Sequence, residues 1–485
     1  MITKEIKNLI RESCLDLGFQ VEEIALEHPE NTEHGDYSTS VALILAKQLS
    51  KNPREVADLI ISNFKIRNSK FLDKVEVAGP GFVNFFLSKE YLFQELKSIV
   101  KAKEKYGARL RAVVDDTSAW QGKKVMVEFT DPNPFKEFHI GHLYSNIVGE
   151  SLSRLCEATG ATVKRANYQG DVGLHVAKAI WGMTKALDHK MPKDSDPLHE
   201  KVQWLGMCYA AGAREYEEDE QAKKEIIELN EKIFALDKTV KGLYQKGKKW
   251  SLEHFDGLYK KLGTKFDYYY FESEVGKTGL ALVQKGLEKG IFEKSQGAVI
   301  FPGEKYGLHS RVFINSLGLP TYEAKELGLA PTKYKDFKYD LSVIITGNEI
   351  IDYFKVLLAA LKEIHAEIAA KTRHLPHGMV RLPEGKMSSR TGTVITAESL
   401  LEEVKSRVFK IMESSGMEMP VKEREQAAEA IALGAVKYSL LRVSLGKDII
   451  FDFDKSLSME GESGPYLQYT YARCKSILRK ARYST

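Results

Sequence analysis

Apolar positions recur at helical spacing from the first residues. Ile2, Ile6, Leu9, Ile10 and Leu17 fall on one helical face. Val41, Leu45 and Leu49 mark a second helix, and Pro53 suits the first turn of a third. The period then drops to that of strands in VEVAG and GFVNFFL, which Gly79, Pro80 and Gly81 separate. This pattern predicts an α+β domain over residues 1–100. The charged stretch that follows reads as a linker over 101–122.

A new pattern begins at Val125. VMVEF is a short apolar strand, and a loop containing Pro132 and Pro134 leads into a helix from Ile140 to Ala158. On that helix Leu143, Ile147, Leu152, Leu155 and Cys156 share one face, predicted to be the apolar one. Asn146, Glu150, Ser153 and Glu157 share the other, and Gly160 stops the helix. ATVKRANY is the next strand, so strand, helix and strand form a βαβ unit in a parallel sheet. The fold class is α/β, with a nucleotide-binding parallel-sheet domain over 123–397. Residues 183–275 are charged and helical in pattern and read as a solvated insertion. DLSVIITG returns to a strand and YFKVLLAALKEI to a helix. Residues 398–485 form a helical C-terminal region. Its last helix carries Pro465 in the first turn and Leu467, Tyr471, Cys474 and Leu478 as an apolar stripe.

Composition narrows the class. The 485 residues are 43% hydrophobic and 28% charged, enough to build cores under a solvated surface. A net charge of +4 neither requires nor excludes a nucleic-acid partner. The four cysteines are far apart, which argues against a zinc site or a disulfide framework and for a reducing, cytoplasmic setting. The N-terminus lacks an apolar signal segment, and no run is long enough to span a membrane.

Two segments carry chemistry. His139-Ile140-Gly141-His142 falls where strand and loop enter a helix. Free backbone N–H groups and the helix dipole favour phosphate there, and two imidazoles three residues apart can bond its oxygens. Gly141 leaves room for a planar base. Far downstream, Lys386, Met387, Ser388, Ser389 and Arg390 are bracketed by glycines. Such a loop can close on a triphosphate and neutralise charge as pyrophosphate departs. Taken singly, the first segment also admits the lesser reading of a capped helix with incidental histidines, and the second reads more often as a solvated basic turn.

Together they resemble the two signatures of class I aminoacyl-tRNA synthetases, and VEFTDPNPFKEFHIGHL resembles the extended signature of the arginyl-tRNA synthetases. RANYQGDVGLH and PTYEAKELGLA are similar to segments of that family. HGDYSTSVALILAKQL and VAGPGFVNFFL resemble its N-terminal tRNA-binding add-on domain. The resemblance implies arginine–tRNA ligase activity: ATP, with Mg2+ on its phosphates, activates L-arginine, which then passes to the terminal adenosine of tRNA. It also implies a role for each matched position. His139, His142, Lys136, Lys386 and Arg390 would stabilise the departing phosphates. Gly141, Met387, Ser388 and Ser389 would join them around ATP. Asn133 and His139 would hold the amino acid's backbone end, and Glu128, Tyr322 and Glu326 its guanidinium. Glu326 stands where the family usually has aspartate, Asp131 where serine is common, and Ile350 where glutamine or histidine is frequent.

The remaining readings are blander. His374 and His377 have metal-pair spacing, but nothing accompanies them, so no metal site is expected. Tyr268, Tyr269 and Tyr270 read as a strand rather than a base-stacking platform. A cysteinyl- or leucyl-type synthetase is disfavoured by the cysteine spacing and the acidic pair Glu128 and Glu326. A non-catalytic tRNA-binding paralogue would not need both signatures. The expected form is a monomer without zinc. The resemblance further implies that the last helix opens an anticodon-binding domain cut short at Thr485, leaving that helix frayed or docked on 421–446.

Overall fold

The computed structural model describes residues 2–21, 24–29, 31–64, 70–103, 106, 120–185, 191–382, 396–416 and 419–482. Packing divides the chain into two units: Met1–Gln121 with Ala158–Gly160, and Gly122–Glu157 with Ala161–Thr485.

In the first unit, helices α1 (Ile2–Asp16), α2 (Val41–Leu49) and α3 (Pro53–Ser62) accompany strands β1 (Tyr37–Thr39), β2 (Leu72–Ala78) and β3 (Phe82–Leu87). The three strands form an antiparallel sheet in the order β1, β3, β2. Asn52 caps α3 by accepting from the amide of Arg54, and Pro53 opens its first turn. The β2–β3 turn needs glycine at position 81. Its φ is +134°, and a Cβ there would meet Pro53 backbone atoms at 3.0 Å. Ile6, Ile10, Val41, Leu45, Val56, Ile60, Val83 and Phe85 fill the core. Helix α4 (Lys89–Ala102) follows and buries none of its residues. β1 has no counterpart in the sequence pattern because three residues are too few to show a period.

The second unit is built on a five-stranded parallel sheet of β4 (Lys124–Glu128), β5 (Thr162–Gln169), β6 (Tyr268–Phe271), β10 (Leu341–Gly347) and β11 (Thr372–His377), ordered β11, β10, β4, β5, β6. Helix α5 (Ile140–Ala158) crosses from β4 to β5. The predicted face is buried at Leu143, Ile147 and Cys156, and burial extends onto the other side too. Asn146, Glu150 and Ser153 are buried, whereas Leu155 is 62% exposed. Each buried polar group has a partner. Asn146 donates to Thr130 Oγ1 and accepts from Thr264 Oγ1, and Glu150 pairs with Arg154 and Arg165. Partners such as Thr130, Thr264 and Arg165 bury part of a face that period alone leaves to solvent.

The insertion is also not merely solvated. Helices α6 (Leu174–Lys185), α7 (Leu198–Glu218), α8 (Glu220–Phe234) and α9 (Lys238–Leu262) enclose a core that includes Ile180, Trp204, Cys208, Ile226, Ile233, Val240 and Trp250. The expected 183–275 boundary shifts at its far end: Tyr268–Phe271 is the edge strand β6, and α10 (Glu272–Glu288) starts directly after it. A small antiparallel sheet follows, β7 (Glu293–Ser295), β8 (Ala298–Phe301) and β9 (Arg311–Ile314), then α11 (Tyr322–Asp336). Helices α12 (Ile351–Ile364) and α13 (Ala366–Ala370) lead from β10 to β11. Phe292, Phe301, Phe313, Leu327, Ile344, Phe354 and Leu357 make the core on this side.

Beyond β11, β12 (Val380–Arg381) pairs in parallel with β13 (Ile449–Ile450). Helices α14 (Ala397–Ser414), α15 (Val421–Leu441), α16 (Phe453–Ser456) and α17 (Gly464–Arg482) complete the unit. α17 docks on α15 through its start. Gln468 donates to the Ala430 carbonyl (3.0 Å), and Gly464 lies so near the Gly434 carbonyl that a Cβ would sit 2.4 Å from it. The stripe residues Leu467, Tyr471 and Leu478 are 53%, 65% and 58% exposed. Among the described residues, no helix is long and apolar enough to cross a membrane.

Candidate active site

A cavity of about 770 Å³ opens at the C-terminal ends of β4, β5, β10 and β11. The chain runs from β4 outward through β5 and β6, then resumes at β10 on the other side of β4. The cleft therefore stands at the point where strand order reverses, where the crossovers diverge and leave room for a ligand.

One end of the cavity is the head of α5. The imidazole of His139 accepts through Nδ1 from the backbone amides of Gly141 (3.1 Å) and His142 (3.4 Å). His142 Nδ1 in turn accepts from the backbone amide of His139 (3.2 Å). This is a reciprocal capping box made of two histidines. Its consequence is chemical. With both Nδ1 atoms accepting, each neutral ring carries its proton on Nε2. The rings stack with centroids 3.6 Å apart. Burial, with the Lys136 charge, pushes His139 below the usual histidine range; burial, then His139 and Lys136, pushes His142 well below it. The head of the helix thus offers neutral Nε2–H donors, whereas two of its backbone amides are already occupied. A Cβ on residue 141 would meet His139 Cε1 at 2.9 Å, so glycine is required there to keep the ring in place. Lys136 is near enough to act on both rings, with its ammonium 5.2 Å from the centre of the Tyr209 ring, and burial lowers its pKa.

The other end is acidic. Glu128, Asp131, Glu272, Glu323 and Glu326 all line the wall. Three of them have resident cations. Lys333 Nζ is 2.5 Å from Glu128, with both side chains almost fully buried; Lys325 pairs with Glu272; and Arg311 is 3.0 Å from Glu323. Asp131 Oδ1 accepts from the amide of Tyr168 (2.7 Å), and among the described residues no cation forms an ion pair with Glu326. Burial, reinforced by the Glu128 charge, holds the carboxyls of Asp131 and Glu326 well above the usual range. Five carboxyls against three cations leave this end short of positive charge, with room for a further cation. Tyr322, 53% exposed, stands at the mouth with Lys325 Nζ 4.8 Å from its ring centre.

The loop from β4 to α5 joins the two ends. Thr130, Asp131 and Phe135 all have positive φ, at 80°, 46° and 68°. Non-glycine residues, a β-branched threonine above all, adopt this region only when their surroundings hold them. Here the Thr130 amide donates to Ser145 Oγ (3.0 Å), Asn133 Oδ1 accepts from the Gly170 amide (3.0 Å), and the Phe135 amide donates to Ser251 Oγ (2.9 Å).

Of the sequence-derived candidates, Glu128, Asn133, His139, Gly141, His142, Tyr322 and Glu326 line one cavity, together with the departures Asp131 and Ile350. Lys136 is just outside the lining but acts electrostatically on both histidines. Lys386, Met387, Ser388, Ser389 and Arg390 lie outside the described residues. The flanks of that segment are placed: Met379 and Val380 line the cavity, Thr396 bridges to His139, and the Ala397 amide donates to the Phe138 carbonyl (2.9 Å). His374 stacks on Phe354 and bonds Thr346, and His377 Nδ1 bonds the Gly378 carbonyl. Sequence reasoning missed Glu272, Arg311, Glu323, Lys325, Lys333, Tyr168 and Tyr353. Only the adjacency of Glu323 and Lys325 to Tyr322 in the chain hinted at two of them.

Comparison with known proteins agrees with this geometry. Residues 109–453 match the family described as tRNA synthetases class I (R), catalytic domain, and residues 2–87 match the arginyl tRNA synthetase N terminal domain. An arginine–tRNA ligase from Treponema denticola is 36% identical over 469 residues, covering 95% of this chain and 77% of that protein. One from Borrelia hermsii is 32% identical, covering 99% and 81%. The arginyl-tRNA synthetase structure from Thermus thermophilus shares the fold, with a TM-score of 0.71 at 23% identity, covering 99% of this chain and 82% of that one. With the catalytic match spanning most of its length and relatives this similar, the chain belongs to the class I arginyl-tRNA synthetases, the arginine–tRNA ligases.

Proposed function

We propose that this cavity binds L-arginine at its acidic end and ATP, with its Mg2+, against the head of α5, and that the chain is an arginine–tRNA ligase working through these residues. The observation that carries the reading is the polarity of a single cavity: a carboxyl cluster short of cations at one end, two neutral imidazole N–H donors at the other. The guanidinium of arginine supplies planar, paired donors that match carboxylates. Glu326 and Glu128 take it, with Asp131 adding acceptor capacity. Asn133 steers the amino acid's backbone end toward the histidines.

An oxygen of the arginine carboxylate attacks the α-phosphorus of ATP, and the bond to pyrophosphate breaks. Nε2–H of His139 and His142 donate to phosphate oxygens as charge shifts onto them, with Lys136 adding positive potential. Both rings are fixed before the reaction by their Nδ1 bonds, so little reorganisation is needed. Lys386 and Arg390 are proposed to neutralise the departing pyrophosphate. A ribose hydroxyl of the tRNA's terminal adenosine then attacks the arginyl carbonyl, and AMP leaves. No covalent enzyme intermediate is required, and catalysis is positioning and charge stabilisation. The first unit is proposed to contact tRNA.

Arginine-dependent exchange of pyrophosphate into ATP, with and without tRNA, tests the reading. Exchange is expected with arginine and not with lysine or citrulline. Exchange that does not depend on which amino acid is added would refute it.

A further inference from the structure

Tyr168, near the end of β5, belongs to the wall of the cavity. Its hydroxyl is buried and has no hydrogen-bond partner among the described residues. Its backbone is fixed beside the acidic wall: the amide donates to Asp131 Oδ1 at 2.7 Å. The carboxyls of Glu272, Glu326 and Glu128 are near enough to act on it electrostatically. It stands among the carboxyls that make the acidic end, not beside the histidines.

Buried polar atoms are nearly always paired, and an unpaired one costs stability. Phenylalanine would fill the same wall without that cost. A hydroxyl in this position is explained if its partner arrives with the ligand. Arginine brings five N–H donors in a fixed plane, and carboxylates that pair two of them leave others to be met. A phenol oxygen can accept one of these while its own proton goes to a neighbouring carboxylate.

We propose that Tyr168 is a specificity-determining residue for arginine: its oxygen accepts an N–H of the bound guanidinium and its O–H donates to Glu272 or Glu326. The phenol then reads the planar fork rather than charge alone, which favours arginine over lysine. This deepens the arginine reading above and rests on it.

Calorimetric titration of L-arginine into the wild-type chain, Tyr168→Phe and Tyr144→Phe tests it. Tyr144 is the control because its hydroxyl is likewise buried without a partner, yet it lies outside the cavity wall. Tyr168→Phe is expected to bind arginine about tenfold more weakly, the scale of one hydrogen bond to a charged group. Its ATP affinity should stay unchanged, and its melting temperature should stay level or rise, because an unpaired hydroxyl has been removed. Tyr144→Phe should bind arginine as the wild type does. Arginine binding by Tyr168→Phe within about twofold of wild type overturns the proposal alone. So does a fall in melting temperature of more than about 4 °C, which would make the hydroxyl a structural bond. A wild-type chain that does not bind arginine at all overturns the functional reading, and this inference with it.

Discussion

Replacing Lys333 by methionine isolates the electrostatics of the acidic end. Lys333 Nζ sits 2.5 Å from Glu128 Oε2, with side-chain exposures of 2% and 1%. Nothing else among the described residues forms an ion pair with Glu128. Methionine keeps the volume and removes the charge, so the carboxylate is stranded in a site that already holds Asp131 and Glu326. Breaking a buried pair from one side costs about 3–5 kcal/mol, a large share of the roughly 5–15 kcal/mol that holds a folded unit together. Removing both partners is cheaper. Glu128→Gln/Lys333→Met leaves only a buried amide to satisfy, at about 1–3 kcal/mol. The double variant should therefore be more stable than the single one, although it carries more changes. Three of the four tryptophans, Trp181, Trp204 and Trp250, lie in the second unit, so urea unfolding followed by fluorescence reports chiefly on it. A single-variant cost below about 1 kcal/mol, or a double variant that loses the sum of its parts, would refute the account of Glu128 as a charge that depends on Lys333.

Proton uptake offers a second check. Asp131 and Glu326 are held above the usual carboxyl range in the free protein, chiefly by burial. A guanidinium favours their ionised forms, so arginine binding should release protons and strengthen as pH rises through the raised range. Titration in buffers of differing ionisation enthalpy measures the release, and equal heats in all of them would contradict it. His142→Ala removes the acceptor for the His139 amide and one Nε2–H donor together. Stability should fall by about 1 kcal/mol, as for other caps, whereas pyrophosphate exchange should fall by about 100-fold or more. Losses in the opposite proportion would mean the histidines serve the helix and not the reaction.

The strands, the crossover helix and the position of the HIGH segment were legible because each has a local cause: a period, a stop signal or a turn. What was not legible depends on partners distant in the chain. Glu150 reads as a solvent-facing residue until Arg165, from the next strand, pairs with it. Glu272 and Lys325 are 53 residues apart, and Glu128 and Lys333 are 205 apart. No spacing rule links them. Asp171 is a similar case. It is fully buried and accepts from Tyr244, Lys248 and Ser273, thereby tying the helical insertion to the end of β5, yet in the sequence it is one aspartate beside a glycine. The small sheet β7–β9 escaped because strands of three and four residues hold at most two periods of alternation, too few to stand out.

The strand order has a consequence for how the molecule comes into being. β4 is flanked by β5, which follows it closely, and by β10, which is synthesised only after the whole insertion and the small sheet; the Lys124 amide reaches Asp340 across 216 residues. During synthesis the first strand must wait, one edge uncovered, until residue 347 has left the ribosome. The helices α6–α9 can collapse around their own tryptophans in the meantime, but the cleft has no floor until β10 docks. Contacts of such long range slow folding and prolong the exposure of a bare strand edge. The nascent chain therefore passes through a stage that is half built and blind to its substrates. Chaperone demand and aggregation should be concentrated in that interval, and neither arginine nor ATP can shorten it.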